Sequence, residues 1–550
     1  MRKDSRSFVF ALSAVTLGLA ACEGCRCAPT SGPRLPTPSS EGPVPTVRLY
    51  LLSDLAGALE PCGCTKDQLG GLDHFGAWVS QNRTHAPHAW VASAGPLFFM
   101  DEKLLPERSD QDRTKADTIA RVLRRLDFVA FAPGINDWAD GVAGLDRRAS
   151  EAGAVAIGGG DSTSSPAASP IVRDGGTVDG VPIRVGFVGY GQGLRREGAA
   201  MAVEVVRRGV AKAKVDGANV LVALVAAGRG EAKRIADAVP ELTAVVVGST
   251  KTDGEANTGT PQGERVGDVI VVQTANHLQS VAVLDLFVRQ PVPRDKTIQF
   301  ADATGLELAQ RRDELAGRID ELHVKIAAWQ RDSSVSDADL RARRRDLAKL
   351  EAEREALDVK PPPASGSFFR YTIKEIRESL GKDPAIEAEF ASYYKVIHEH
   401  NRIKFANRFP RDAEPDQPTY VGIAACSKCH PGARQVWDNT PHAHAYLTLS
   451  SQFKEFNLDC VGCHVTGYDK PGGSTVTHVD RLSDVQCEVC HGPGSRHVLD
   501  PGEKKRIVRN PSASVCLECH HPPHVEEFDP VAKMRRILGP GHGQPAEPGK

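Results

Sequence analysis

Between Cys426 and His520 the chain spells Cys-x-x-Cys-His four times: Cys426-Ser-Lys-Cys429-His430, Cys460-Val-Gly-Cys463-His464, Cys487-Glu-Val-Cys490-His491 and Cys516-Leu-Glu-Cys519-His520. No other feature restricts the fold so strongly. Two intervening residues let both thiols reach the two vinyl groups of one porphyrin, and the adjacent histidine falls under the iron as its proximal ligand. Paired zinc ribbons have no need of a histidine after every cysteine pair. The pattern predicts four covalently bound haems c, with His430, His464, His491 and His520 as proximal ligands. The motifs follow one another so closely that the apolar protein remainder is too small to bury four porphyrins separately. The cofactors themselves must form much of the core, packed closely enough for electron hopping.

The thirteen cysteines sort cleanly. Eight lie in the four motifs; the others are Cys22, Cys25, Cys27, Cys62 and Cys64. Haem attachment to cysteine is an extracytoplasmic process, and the leader agrees. Arg2, Lys3 and Arg6 precede a short apolar run from Phe8 to Ala21, which reads as a signal peptide rather than a spanning helix. Leu19-Ala20-Ala21-Cys22 resembles a bacterial lipobox, which implies cleavage before Cys22 and lipidation of its thiol. The expected location is the cell envelope, lipid-anchored and facing the periplasm, with the outer membrane favoured by Glu23. A formal charge of −2 without a basic footprint argues against a nucleic-acid partner.

After a Pro/Ser-rich tether through residue 46, residues 47–290 alternate short, fully apolar runs with helical stretches, which predicts a sheet-based α/β domain buried on both faces. This domain resembles the calcineurin-like metallophosphoesterases, especially the 5′-nucleotidase branch, through Leu51-Leu52-Ser53-Asp54, Gly70-Gly71-Leu72 and Ala132-Pro133-Gly134-Ile135-Asn136-Asp137-Trp138. The metal ligands of that resemblance are largely replaced. Ala56 stands for the His of Asp-x-His, Gly95-Pro96 for Gly-Asp, Leu224-Val225-Ala226 for Leu-Ser-His, and Gly248-Ser249-Thr250-Lys251 for Gly-His-x-His. Asp54 survives, with Asn136 or Asp137 beside it. Two metals cannot be held by so few ligands, so the expectation is a phosphatase fold without phosphatase chemistry. Cys62-Gly63-Cys64 reads as a disulfide brace, a metal ligand pair or a redox pair.

Leucines and isoleucines at heptad-like steps in 303–360 predict an antiparallel helical hairpin, ended by Pro361-Pro362-Pro363. It is a candidate homodimerisation arm or spacer. Residues 366–417 read as a connecting segment with one strand and one helix, 418–525 as the haem domain and 526–550 as a tail. The fold class expected is multidomain: an α/β metallophosphoesterase-like sandwich, a coiled-coil hairpin, then a mostly helical and irregular multihaem cytochrome c domain.

The haem domain resembles the tetrahaem cytochrome c-554 family through Thr440-Pro441-His442-Ala443-His444-Ala445 and through Cys487 to His497, which reads Cys-Glu-Val-Cys-His-Gly-Pro-Gly-Ser-Arg-His. The resemblance implies His442 and His497 as distal ligands. His398, His400, His444, His478, His521 and His524 are further candidates. The expected function is envelope electron transfer, with redox partner proteins or quinol-linked donors as partners and the membrane engaged through the N-terminal lipid. The alternative is reduction or oxidation of a small nitrogen-oxide-type ligand at one open haem; a phosphoesterase ranks below both.

Overall fold

The computed structural model describes residues 43–61, 68–158, 170–191, 199–252, 257–292, 296–331, 337–356, 363–503, 506–521, 524–525 and 528–544. The leader, Cys22, Cys25, Cys27 and most of the tether lie outside the described residues, as do Cys62 and Cys64.

The strands of the α/β part are β1 (Val47–Ser53), β2 (Ala89–Ala94), β3 (Phe128–Ala132), β4 (Val155–Ala156), β5 (Ile171–Val178), β6 (Val181–Tyr190), β7 (Val220–Ala226), β8 (Ala244–Gly248), β9 (Glu264–Val266), β10 (Val269–Val272), β11 (Ser280–Phe287), β12 (Ala301–Asp302) and β13 (Phe368–Glu375). Its helices are α1 (Leu72–Asn82), α2 (Ser109–Arg125), α3 (Gly141–Ala152), α4 (Ala199–Val215), α5 (Arg229–Ala238), α6 (Leu306–Trp329), α7 (Asp337–Ala356) and α8 (Pro384–Lys404). One sheet runs β12-β13-β11-β1-β2-β3-β4 and the other β5-β6-β7-β8-β10-β9.

The period-2 alternation of side chains explains why these strands are apolar throughout. Leu49 and Leu51 of β1 face Val222 and Leu224 of β7 in a core between the sheets. Tyr50 and Leu52 point the other way, into a core with α1, α2, α3 and α8. Leu221, Ala223 and Val225 likewise meet α4 and α5. The result is a four-layer helix–sheet–sheet–helix sandwich.

Two features extend this sandwich beyond residue 290, where the sequence pattern placed its end. β13 pairs with β11 along its whole length, Ser280 opposite Glu375 through Phe287 opposite Phe368. Ile386, Phe390, Tyr393 and Ile397 of α8, spaced three or four apart, enter the same core as α1 and α2. The connecting segment is therefore integral to the α/β domain. The hairpin α6–α7 is inserted between β12 and β13, which pair directly through Ala301–Phe368 and Asp302–Phe369. Leu315, Ile319 and Ile326 of α6 are buried.

The haem segment is built of short helices: α9 (Ile423–Ser427), α10 (Pro431–Asp438), α11 (Ala445–Ser450), α12 (Val461–His464), α13 (Cys487–His491), α14 (Ser495–Leu499) and α15 (Pro530–Met534). Its buried apolar side chains among the described residues are few and mostly small: Ala445, Leu449, Val461, Val465, Val476, Leu482 and Val525. No described helix is long and apolar enough to cross a membrane.

Candidate functional site

The four motifs lie side by side. Cys426 lies beside Cys487, joining motif 1 to motif 3; the two thiols interact, pushing Cys426 well up and Cys487 down from the ordinary thiol range. Cys519 likewise lies beside Cys463, joining motif 4 to motif 2 and pulling the Cys463 thiol down to about 6. Burial, and then the neighbouring Cys516, raise Cys490 to about 11, which places motif 3 beside motif 4. The spatial order is thus 1-3-4-2. None of the eight motif cysteines is in a disulfide.

Glu488, inside motif 3, explains how motif 1 is held there. Its buried carboxylate accepts from Val421 N (3.0 and 3.1 Å), Gly422 N (2.7 Å) and Gly494 N (2.7 Å). Gln486 adds a bond from Ile423 N at 2.7 Å and donates to the carbonyls of Arg481 and Ser483, both at 2.7 Å.

Three of the motif histidines lie near a second imidazole. His430 and His497 have ring centroids 6.3 Å apart, His520 and His442 6.3 Å, and His491 and His542 6.2 Å. An imidazole nitrogen binds a transition metal at roughly 2 Å and its ring centroid lies about 1.1 Å behind that atom, so trans imidazoles on one iron have centroids about 6.3 Å apart. The three pairs have that separation. Burial, and then His520 nearby, lower the pKa of His442, favouring the neutral form a metal requires.

His542 is absent from the sequence-derived candidates. It lies in the tail, in a tight turn closed by Gly539 N to His542 O and His542 N to Gly539 O, both 2.8 Å. The turn packs on α10. A Cβ added to Gly541, whose φ is +80°, would lie 2.9 Å from the Gly432 Cα, so close backbone approach requires glycine there. Phe528, also in the tail, stacks on His520 at 4.4 Å. A lone histidine beyond the last motif carries no local signal other than the two glycines, Gly541 and Gly543, that flank it.

Nδ1 of His464 donates to Ala445 O (2.6 Å), of His491 to Val508 O (2.7 Å) and of His542 to Ile537 O (2.8 Å). A carbonyl oxygen only accepts, so Nδ1 carries a proton in each ring, and in the neutral tautomer Nε2 would be the nitrogen with the lone pair a metal requires. The other histidine candidates have different neighbours. His398 faces Glu455 (3.4 Å), His400 faces Asp110 (3.3 Å), His478 packs on Phe409 (4.3 Å), and the rings of His521 and His524 lie 5.2 Å apart. His444 is exposed.

The residues present fit haem c. They supply thiol pairs, imidazole pairs spaced to reach a metal from opposite sides and a segment whose own apolar core is sparse.

The loops of the α/β domain look different. Asp54 accepts from Ser249 N and Ser249 Oγ, both 2.8 Å, and burial pushes it up to about 6. Asp137 accepts from the backbone N–H of Leu97, Phe98 and Gly134 (2.8–3.0 Å); burial nevertheless raises it to about 7. Asn136 Nδ2 donates to Met100 O (2.6 Å) and Thr252 O (3.1 Å). A Cβ on Gly95, whose φ is +85°, would lie 1.8 Å from the Asp54 carboxylate, so this close approach requires glycine. Among the described residues no group of three His, Cys, Asp or Glu side chains is placed to hold a metal.

The haem segment is bonded to this domain through α2 and α8. Asp459, beside Cys460, takes Arg108 at 2.5 Å and Lys115 at 2.7 Å, and this pairing holds it below the usual carboxylate range against the effect of burial. Glu60 accepts from Tyr394 Oη (2.6 Å) and Lys454 Nζ (2.5 Å). Residues 108, 111, 112 and 115 form one polar stripe of α2, which in sequence is indistinguishable from a solvated face.

Residues 425–492 match the family model described as cytochrome c554 and c-prime. Cytochrome c-554 of Nitrosomonas europaea is 36% identical over 91 residues, 14% of this chain and 39% of that protein. This chain thus spans well under half the length of that curated relative. Among solved structures, a sulfate thiohydrolase from Thermus thermophilus aligns over 45% of this chain and 54% of its own (14% identity, TM-score 0.35). A calcineurin-like phosphoesterase from Bacillus subtilis aligns over 44% and 84% (15%, 0.35). A 5′-nucleotidase precursor from Thermus thermophilus aligns over 77% and 69% (14%, 0.37). The C-terminal part of the chain is a c-type cytochrome segment, similar through residues 425–492 to the cytochrome c-554 family.

Proposed function

We propose that this chain is a tetrahaem electron-transfer protein of the bacterial cell envelope, tethered by lipid at Cys22, with its α/β domain serving as a non-hydrolytic platform. The observation that carries this reading is the set of three imidazole pairs at 6.2–6.3 Å beside four Cys-x-x-Cys-His motifs in a continuous row. When attached, haem c supplies a one-electron iron couple whose potential is set by axial ligands and surroundings. His430 with His497, His520 with His442 and His491 with His542 would hold one iron between each pair, an arrangement suited to electron transfer rather than substrate binding. His464 is oriented by the Ala445 carbonyl, and what stands opposite it separates a carrier from a small-ligand oxidoreductase.

Two measurements test this. Mass spectrometry of the denatured protein is expected to show four added haems and a diacylated Cys22; fewer haems or a free Cys22 removes that part of the proposal. Low-temperature electron paramagnetic resonance, normalised to haem, is expected to show at least three low-spin irons. A high-spin signal near one haem per chain would favour the small-ligand enzyme at the motif 2 site, and more than one would overturn the pairings above.

A further inference from the structure

We propose that the α/β domain sets the reduction potential of the haem site at Cys460–His464, through the charges of Arg108 and Lys115 clamped on Asp459. This rests on the reading of Cys460–His464 as a haem attachment site. Asp459 is covalently adjacent to Cys460 and accepts from Arg108 Nη2 (2.5 Å) and Lys115 Nζ (2.7 Å), both belonging to the other domain. Arg108 also pairs with Asp112 at 3.1 Å, so the cluster of two cations and two anions is neutral. Its side chains keep only 14–30% exposure, which weakens screening by water.

A second contact makes the cluster rigid. Gln111 accepts from Leu458 N and Asn401 Nδ2, both 3.0 Å, and donates to Asn457 Oδ1 at 3.2 Å, while Asn401 donates to Phe456 O at 2.9 Å. Gln111, Asn401 and Asn457 are each at most 2% exposed. The segment leading into motif 2 is therefore fixed to α2 and α8 by bonds that leave little play. Tyr393 and Tyr394 of α8 lie beside Cys460.

The sign follows from charge. A net positive neighbour stabilises reduced iron and raises the potential; a net negative neighbour lowers it. Asp459→Asn leaves the cluster at +1, Lys115→Gln leaves it at −1, and the two together restore neutrality. The experiment is a spectroelectrochemical titration of full-length holoprotein for the wild type, both single variants, the double variant and Lys115→Arg. One of four midpoint potentials is expected to rise in Asp459→Asn and fall in Lys115→Gln. It is expected to return towards the wild-type value in the double variant and to stay there in Lys115→Arg. Two single variants shifting in the same direction, or no component moving, would overturn the inference, because a purely structural clamp is blind to sign. If one single variant fails to retain haem, the other decides together with Lys115→Arg: a shift of the expected sign in the former and none in the latter supports the charge mechanism, and no shift in the former overturns it. An unmodified motif 2 peptide in the wild-type protein would instead sink the haem assignment beneath it.

Discussion

Three of the six paired histidines are held by a local contact: a carbonyl at Nδ1 of His491 and of His542, and the stacked ring of Phe528 on His520. Replacing His542, His442 or His497 singly with Ala is expected to convert one low-spin haem in four to high spin, read by electron paramagnetic resonance. An unchanged spectrum would strike that residue from the ligands. Glu488→Ala should be more damaging than its position between two attachment cysteines suggests. It strands the N–H groups of Val421, Gly422 and Gly494, at about 1–3 kcal/mol for each one left buried and unpaired. Glu488→Gln keeps part of the set, so thermal unfolding should rank wild type above Gln above Ala. In the α/β loops the buried Asp54 and Asp137 are raised from 3.8 to about 6 and about 7. The folded state therefore binds more protons than the unfolded state between pH 4 and 7, and stability falls as pH rises through that window. Thermal melts of Asp54→Asn should show a shallower fall than wild type; an identical pH slope would refute the assignment to Asp54.

At the level of elements, most strands of the α/β part were legible because strands buried on both faces spell short apolar runs; β1, Val47–Ser53, is an example. The edge strands β5 and β9 were not, since half-exposed residues such as Arg173 and Glu264 break the run. The hairpin was legible from its leucine spacing, yet its place in the topology was not. β12 and β13 are hydrogen-bonded neighbours on either side of it. Replacing residues 305–365 with a short Gly/Ser linker should therefore leave the sheet and the haem count intact, with a melting temperature within a few degrees of wild type. Loss of the folded α/β domain would show that the hairpin does more than project from it, and a halved hydrodynamic mass would identify it as a dimerisation arm.

For the whole molecule, the loops of the α/β domain and the cytochrome segment have opposite fates. In the first, the surviving acids are absorbed into hydrogen bonds with Ser249 and the backbone. Purified protein with Mn²⁺ is expected to leave nucleotides and p-nitrophenyl phosphate intact, and turnover abolished by Asp54→Ala would contradict this. The second depends on the first for its footing, through Asp459, Asn457 and Lys454. The amino-acid sequence alone carries the expectation of haem c, because thiol attachment and a proximal ligand are set by covalent neighbours within five residues. It also determined the layered α/β class, since burial on both faces dictates composition. Only the tertiary structure decided that His542 stands opposite His491, that the motifs line up 1-3-4-2, and that residues 366–404 complete the α/β core. Those facts depend on which surfaces meet after the chain has turned back on itself, and contacts between residues far apart in sequence leave no local pattern.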